Sequence, residues 1–421
     1  RMIAQFIFAL ALASGAGLFT LQIMRLRKGL ALARKTDRHD QKSERWKTMA
    51  RVALGQGKMG SRPLAAAFHL IVYVGFVLIN LEVVEILLDG LTGQHRILQA
   101  PLGGLYTAAI NFFEILGVLV ILACVVFLVR RWFGGIGRFA HSDLTGWPKQ
   151  DAAIILYTEI VLMTALLIMN AAEAALPDGH APFIVAQFLA PLFVGFSPEA
   201  LHIWMEGAWW FHFLGILAFL NYLPKSKHFH IILAFPNTWY SKLSPRGRIP
   251  AMASVTREIK AMLDPSYVPD SAEAPARFGA MDIEDLHFVN VLNAYSCTEC
   301  GRCTSECPAN QTGKKLSPRK IMMATRDRVE QLLTTPENSD TLLDHWISRE
   351  ELWACTTCNA CVEACPLNID PLDIIQQMRQ YLVMEESAAP ASLNTMMNNV
   401  ENNGAPWAYP QADRAVWTTE N

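Results

Sequence analysis

Residues 297–308 read CTECGRCTSECP, and residues 355–366 read CTTCNACVEACP. These two runs hold eight of the nine cysteines in the chain. Each is spelled C-x2-C-x2-C-x3-C-P, the spacing that wraps a 4Fe-4S cubane. Three thiolates two residues apart curl round three irons of one cube, while the fourth cysteine of the run points toward a neighbouring cube. The expected ligand sets are therefore crossed: Cys297, Cys300, Cys303 and Cys365 on one cluster, and Cys355, Cys358, Cys361 and Cys307 on the other. A zinc ribbon uses two pairs of ligands, and neither it nor a disulfide framework explains a doubled run ending in proline. The ninth cysteine, Cys124, stands alone in an apolar stretch and reads as packing.

The rest of the chain is unusually apolar. Of 421 residues, 52% are hydrophobic and only 18% charged, and the apolar ones crowd into the first 235 positions. A formal charge of −2 gives no case for a nucleic-acid partner. Five stretches approach or exceed the roughly 20 apolar residues that cross a bilayer as helix: about 3–24, 63–88, 105–129, 152–176 and 199–222. The first is too long for a secretory signal, lacks a small-residue cleavage site and is followed by a basic stop region, so it reads as a membrane helix. Lys and Arg number 12 in residues 25–62 and four in 130–149, against one in 89–104 and none in 177–198. Positive residues stay on the cytoplasmic side. The expectation is a multi-pass protein of the cytoplasmic (inner) membrane, with its N-terminus outside and the cysteine domain in the reducing cytoplasm. Within the last outer connection, 183–193 is apolar but too short to cross, and reads as interfacial or buried.

The expected fold class is mostly α: a five-helix transmembrane bundle (1–235), then a helical dicluster ferredoxin-type domain (281–384). Residues 236–280 form a connector with an amphipathic segment at 255–263 and a proline- and acid-rich linker at 264–277. Between the two cysteine runs, helical patterns cover 318–333 and 341–352. Residues 385–421 carry little core material and read as a tail that docks on this domain or on another subunit.

Ionisable groups inside a membrane are costly and usually functional. His69 lies six residues into the second span, ~9 Å from its start. His212 lies inside the fifth, and His230 follows it by 18 residues, which is five helical turns, so the two share a face if the helix continues. Two such histidines from different helices suit a b-type haem. Glu82, Glu85, Glu114 and Glu159 are expected to face the bundle interior. Quinone reduction consumes two protons, which makes Glu82, Glu114 and His212 candidates for a quinone site.

The segment from His212 through Pro224, Ser226, Lys227 and His230 resembles the last helix of the nitrate reductase gamma-subunit family, a five-helix cytochrome b. The Phe68-His69 region resembles that family's second helix, which carries two haem ligands ten residues apart. Ile79 stands at the second position here, so one ligand of an outer haem is missing. The resemblance implies that His69 and His230 hold a haem near the clusters, with His69 and His212 as the other pairing, and one or two haems in all.

Taken whole, with the cysteine runs and a tail motif around Asn403, Pro406, Trp407, Arg414 and Trp417, the chain resembles the membrane-bound iron-sulfur oxidoreductases related to heterodisulfide reductase. That group includes electron-transfer-flavoprotein:menaquinone oxidoreductases. The resemblance implies a respiratory subunit that passes electrons from a cytoplasmic donor through two 4Fe-4S clusters and haem b to menaquinone. The donor would be electron-transfer flavoprotein or a partner subunit with cysteine-rich repeats. Such repeats usually follow on the same chain, but no cysteine occurs after Cys365, so the primary substrate site is expected elsewhere. The other readings are a non-catalytic anchor and electron wire, and a quinone-linked dithiol oxidoreductase subunit. A transporter is disfavoured by the lack of internal repeats.

Overall fold

The computed structural model describes residues 2–177, 183–268 and 277–419. Parts of the predicted 264–277 linker and of the 177–198 connection lie outside them. Among the described residues there is no strand, and five helices are long and apolar enough to cross a membrane. They are α1 (Met2–Ala31), α2 (Pro63–Thr92), α3 (Gly104–Trp132), α4 (Trp147–Ala174) and α5 (Pro198–Tyr222). Each covers its expected stretch to within two residues, and most run further because basic or capped ends remain helical. Proline in the first turn opens α2, α4 and α5, where its missing N–H costs nothing. The Ser197 hydroxyl accepts from the Ala200 N–H to cap α5.

Each span packs on the next, and α1 closes the ring against α5. Backbones approach closely where glycine allows it: a Cβ at Gly75 would sit 2.4 Å from the Val120 side chain, and one at Gly215 2.5 Å from Leu162. The inner wall is one face of α4. Asp151, Ile155, Glu159, Leu162, Leu166, Asn170 and Glu173 recur every three or four residues and are all buried.

Beyond Tyr222 the helix does not continue. Pro224 brings two single 3-10 turns, Leu223–Lys225 and Lys227–Phe229, before α6 (His230–Trp239) starts afresh. Ser226 is extended, with ψ 151, and its hydroxyl accepts from the His228 N–H. The shared-face argument for His212 and His230 therefore fails, because the chain turns between them.

After α6 come α7 (Ala253–Leu263), with no buried residue, and α8 (Phe288–Ser296), almost wholly buried. α6 packs on α8. The Asn237 amide donates to the Leu367 carbonyl at 2.8 Å and accepts from Asn293 at 2.9 Å. One contiguous apolar core thus runs from the spans into the cysteine-bearing region.

There α9 (Pro318–Thr334) matches its pattern, but 341–352 is not one helix. Leu343 is extended (ψ 139) and Asp344 left-handed (φ 70), while Ser348 and Glu351 form a capping box that starts α10 (Arg349–Ala354) separately. Next follow α11 (Ala360–Ala364), α12 (Pro371–Met384) and α13 (Ala391–Asn403). α13 buries no residue, and Val400, Trp407 and Trp417 are exposed.

Candidate redox site

The two cysteine runs share a backbone trick. Glu299 (φ 53) and Gly301 (φ 70) in the first are left-handed, as are Thr357 (φ 56) and Asn359 (φ 62) at the matching positions of the second. Left-handed residues either side of the second cysteine curl the loop so that N–H groups and thiols face one concavity, the geometry of many iron-sulfur sites. A helical turn then carries each chain to its fourth cysteine, Cys307 or Cys365, where Pro308 or Pro366 follows.

A small cavity is lined by Cys297, Cys300 and Cys303 of the first run together with Cys361 and Cys365 of the second. Reciprocally, Cys307 lies within electrostatic reach of Cys355 and Cys361, and Cys358 of Cys355. Backbone N–H groups of Thr357 and Ile369 donate to the sulfurs of Cys355 and Cys365, each at 3.4 Å. Arg302 sits near Cys300 and Cys365, and Arg379 donates to the Cys355 carbonyl. Burial pushes the Cys297 thiol up to about 12 and Cys365 up to about 11. Thiolates so enclosed are stable only against strong positive charge, which bound metal supplies. Cys358 alone of the eight is exposed.

The histidines form a second group. His69 of α2 and His230 of α6 face each other, with ring centroids 6.4 Å apart and planes at 43°. Two imidazoles that each bound one shared metal at ~2 Å would have centroids a little over 6 Å apart, so the pair's spacing would suit one metal between them. His230 Nδ1 is 3.0 Å from the Lys227 carbonyl, so only Nε2 could bind a metal. His69 Nδ1 is buried without a partner. His212 is not brought to this pair. Its Nδ1 lies 2.8 Å from the Leu162 carbonyl.

The sequence reading missed two groups. His228 is enclosed by His230 and Phe219, each at 5.6 Å between centroids, and its buried Nε2 has no hydrogen-bond partner, with Glu159 at 4.0 Å. Its signal, a second histidine two residues before His230, is present in the sequence. Lys227 pairs with Glu299 at 2.5 Å, which Arg326 also holds at 2.7 Å. Glu299 lies between Cys297 and Cys300, so one residue joins the His230 turn to the cysteine loop.

The intramembrane carboxyls divide. Glu114 accepts from Asn170 at 3.1 Å and from the backbone N–H groups of Val185 and Ala186 at 2.8 and 3.3 Å. It therefore anchors the apolar 183–193 segment, whose Phe183 and Ala186 are buried. Glu85 accepts from the Tyr106 hydroxyl at 2.7 Å. Arg96, the one cation of its connection, pairs with Glu173 at 2.7 Å and donates to Tyr106 and Asn170. Glu82 is buried in the same region.

Residues 291–369 match the model of the 4Fe-4S dicluster domain. Over 87% of its length the chain is 26% identical to a probable iron-sulfur-binding oxidoreductase, FadF, of Bacillus subtilis, covering 54% of that protein. Over 95% it is 26% identical to an EtfAB:quinone oxidoreductase of Syntrophomonas wolfei, covering 57%. Over 24% it is 32% identical to an iron-sulfur subunit of the CoB–CoM heterodisulfide reductase of Methanopyrus kandleri, covering 45%. The chain thus spans about half the length of these relatives. No solved structure matches. Its homologues are iron-sulfur oxidoreductases, and it joins a 4Fe-4S dicluster domain to five helices of membrane-spanning character.

Proposed function

We propose that this chain is the membrane-embedded electron-transfer part of a quinone-linked oxidoreductase. Electrons would pass from a donor on the cytoplasmic side, through two 4Fe-4S clusters and a b-type haem, to menaquinone. The cofactors, when bound, supply the one-electron carriers. The protein holds and tunes them. Cys297, Cys300, Cys303 and Cys365 would hold one cluster, and Cys355, Cys358, Cys361 and Cys307 the other. His69 and His230 would hold the haem. Lys227 fixes the spacing between the two parts, since its carbonyl orients the His230 ring and its amine grips the cysteine loop at Glu299. That link is the observation that carries the reading.

The names of two relatives support the ends of the route: electron-transfer flavoprotein as donor and quinone as acceptor, or a heterodisulfide system as donor. The Lys and Arg bias supports a cytoplasmic cysteine domain. The hydrogen bonds that occupy Glu114 leave Glu82 and His212 as the quinone-site candidates. The whole assembly's substrate site would lie outside these 421 residues, such as on cysteine-rich repeats.

The test is an anaerobic visible spectrum of the purified chain with iron and haem quantified, followed by a soluble menaquinone analogue. About eight cluster irons and about one haem b per chain, with rapid reoxidation by the quinone, is the expected result. Eight irons without haem would remove His69 and His230 from the ligand list. Intact centres that no quinone reoxidises would leave the chain as an anchor and wire.

A further inference from the structure

The connector helix α7 (Ala253–Leu263) buries none of its residues. Yet Val255, Ile259, Met262 and Leu263 recur along it at spacings of three and four, and so fall on one side. Met262 is 82% exposed, Leu263 80% and Ile259 49%. Ser254, Arg257 and Ala261 lie on the other side. A helix that packs on its own domain hides such an apolar row, and a helix that faces only water has no use for one.

Charge indicates what covers the row. Residues 242–263 hold five Lys and Arg, namely Lys242, Arg246, Arg248, Arg257 and Lys260, against Glu258 alone. A helix that is apolar on one side, basic around it and polar on average lies in the plane of a membrane surface, where anionic headgroups attract its cations. Lys260 stands over the Tyr267 ring at 5.8 Å, and tyrosine is itself enriched at membrane–water interfaces.

The structure also puts a bilayer within reach. Arg246 pairs with Glu363 of α11. Lys58 donates to the carbonyl of Val362, the residue before, at 3.2 Å. Lys58 in turn stands five residues before Pro63, where the second span begins. The chain at Arg246 is thus held near the mouth of α2. Five extended residues cover ~18 Å and the seven from Arg246 to Ala253 cover ~25 Å. So α7 can meet the headgroups while Arg246 keeps its hold.

We propose that α7 lies flat on the membrane leaflet at the side of the cysteine domain. Val255, Ile259, Met262 and Leu263 dip into the acyl-chain boundary, and Arg248, Arg257 and Lys260 meet anionic headgroups. Glu363 lies between Cys361 and Cys365 and holds Arg246, so this contact ties the second cysteine loop to the bilayer at a place of its own, apart from the five spans.

The test uses the full chain in lipid nanodiscs with no other protein present. Ile259→Cys and Ala261→Cys put a bimane label on opposite sides of α7, two residues apart. Both positions are exposed, so the label leaves the core intact, and the parent chain gives the background labelling. The discs carry a nitroxide lipid that quenches near the headgroups. With phosphatidylglycerol present, quenching at 259 is expected to exceed that at 261 by on the order of threefold, and to weaken in high salt or in phosphatidylcholine alone. Adding Arg257→Gln/Lys260→Gln to the Ile259→Cys chain should lower it at unchanged iron content. Equal quenching at the two positions would overturn the proposal, as would a contrast that neither salt nor the double substitution alters. A label at 259 that is blue-shifted but unquenched would overturn it too, and would make protein, from this chain or a second copy, the cover of the row.

Discussion

At the scale of the residue, the cysteines make the sharpest claim, because crossing the two runs assigns Cys365 against its own neighbours. Cys365→Ser should then damage the cluster of Cys297, Cys300 and Cys303, and Cys358→Ser the other. Iron should fall by about half in each, with a different electron paramagnetic resonance signal surviving. The same surviving signal in both variants would mean uncrossed sets. The spacing makes the cysteine loops legible, since thiolate chemistry dictates it. Histidines are less legible. His69→Ala and His230→Ala should each empty the proposed haem site while leaving the cluster iron unchanged, whereas His228→Gln should retain haem. Haem lost from His228→Gln but kept in His230→Ala would exchange their roles. Periodicity could not have ranked these two, because a helical register does not carry through where Pro224 and Ser226 turn the chain.

At the scale of the element, the five spans were legible because burial in lipid demands long apolar runs whatever their partners. The 341–352 segment was not, since its apolar spacing fits a helix while Leu342 is held elsewhere, its N–H donating to Asp282 at 3.1 Å. The carboxyls on α2, α3 and α4 show the same limit. Each was visible as a costly group in a helix, yet its job depends on what lies opposite. Glu114 meets two backbone N–H groups of the 183–193 segment with one oxygen and the Asn170 amide with the other, so Glu114→Gln, with a single acceptor oxygen, sets an amide donor against one of them. It should cost about 1–3 kcal/mol of thermal stability and leave quinone-linked turnover within about twofold. Turnover lost by orders of magnitude in a normally folded variant would make Glu114 a proton relay instead.

At the scale of the whole molecule, composition separates an apolar half from a cysteine-rich half, but it says nothing of the joint between them. That joint is built from buried polar contacts over long sequence separations, which no local pattern encodes. Lys227 meets Glu299, Asn237 meets Leu367, and fully buried Arg319 of α9 is held by Asp143 of the loop between α3 and α4. Arg319 also donates to the carbonyls of Arg138 and Glu299, so this ion pair braces the first cysteine loop against the membrane half. Burial raises the Asp143 carboxyl, but Arg319 and Ser317 outweigh it and leave the group below its usual value of 3.8. Its contribution is present above that value and lost only as pH falls through the lower folded one. At neutral pH, Asp143→Asn therefore removes a working charge and leaves Arg319 uncompensated, at a cost of about 3–5 kcal/mol. If the halves form one cooperative unit, cluster and haem absorbance should melt together in the parent chain, and in Asp143→Asn both should melt together at a lower temperature. Clusters bleaching well before haem in the parent chain would mean that the joint is too weak to couple them, and that the spacing set by Lys227 is not held in the working protein.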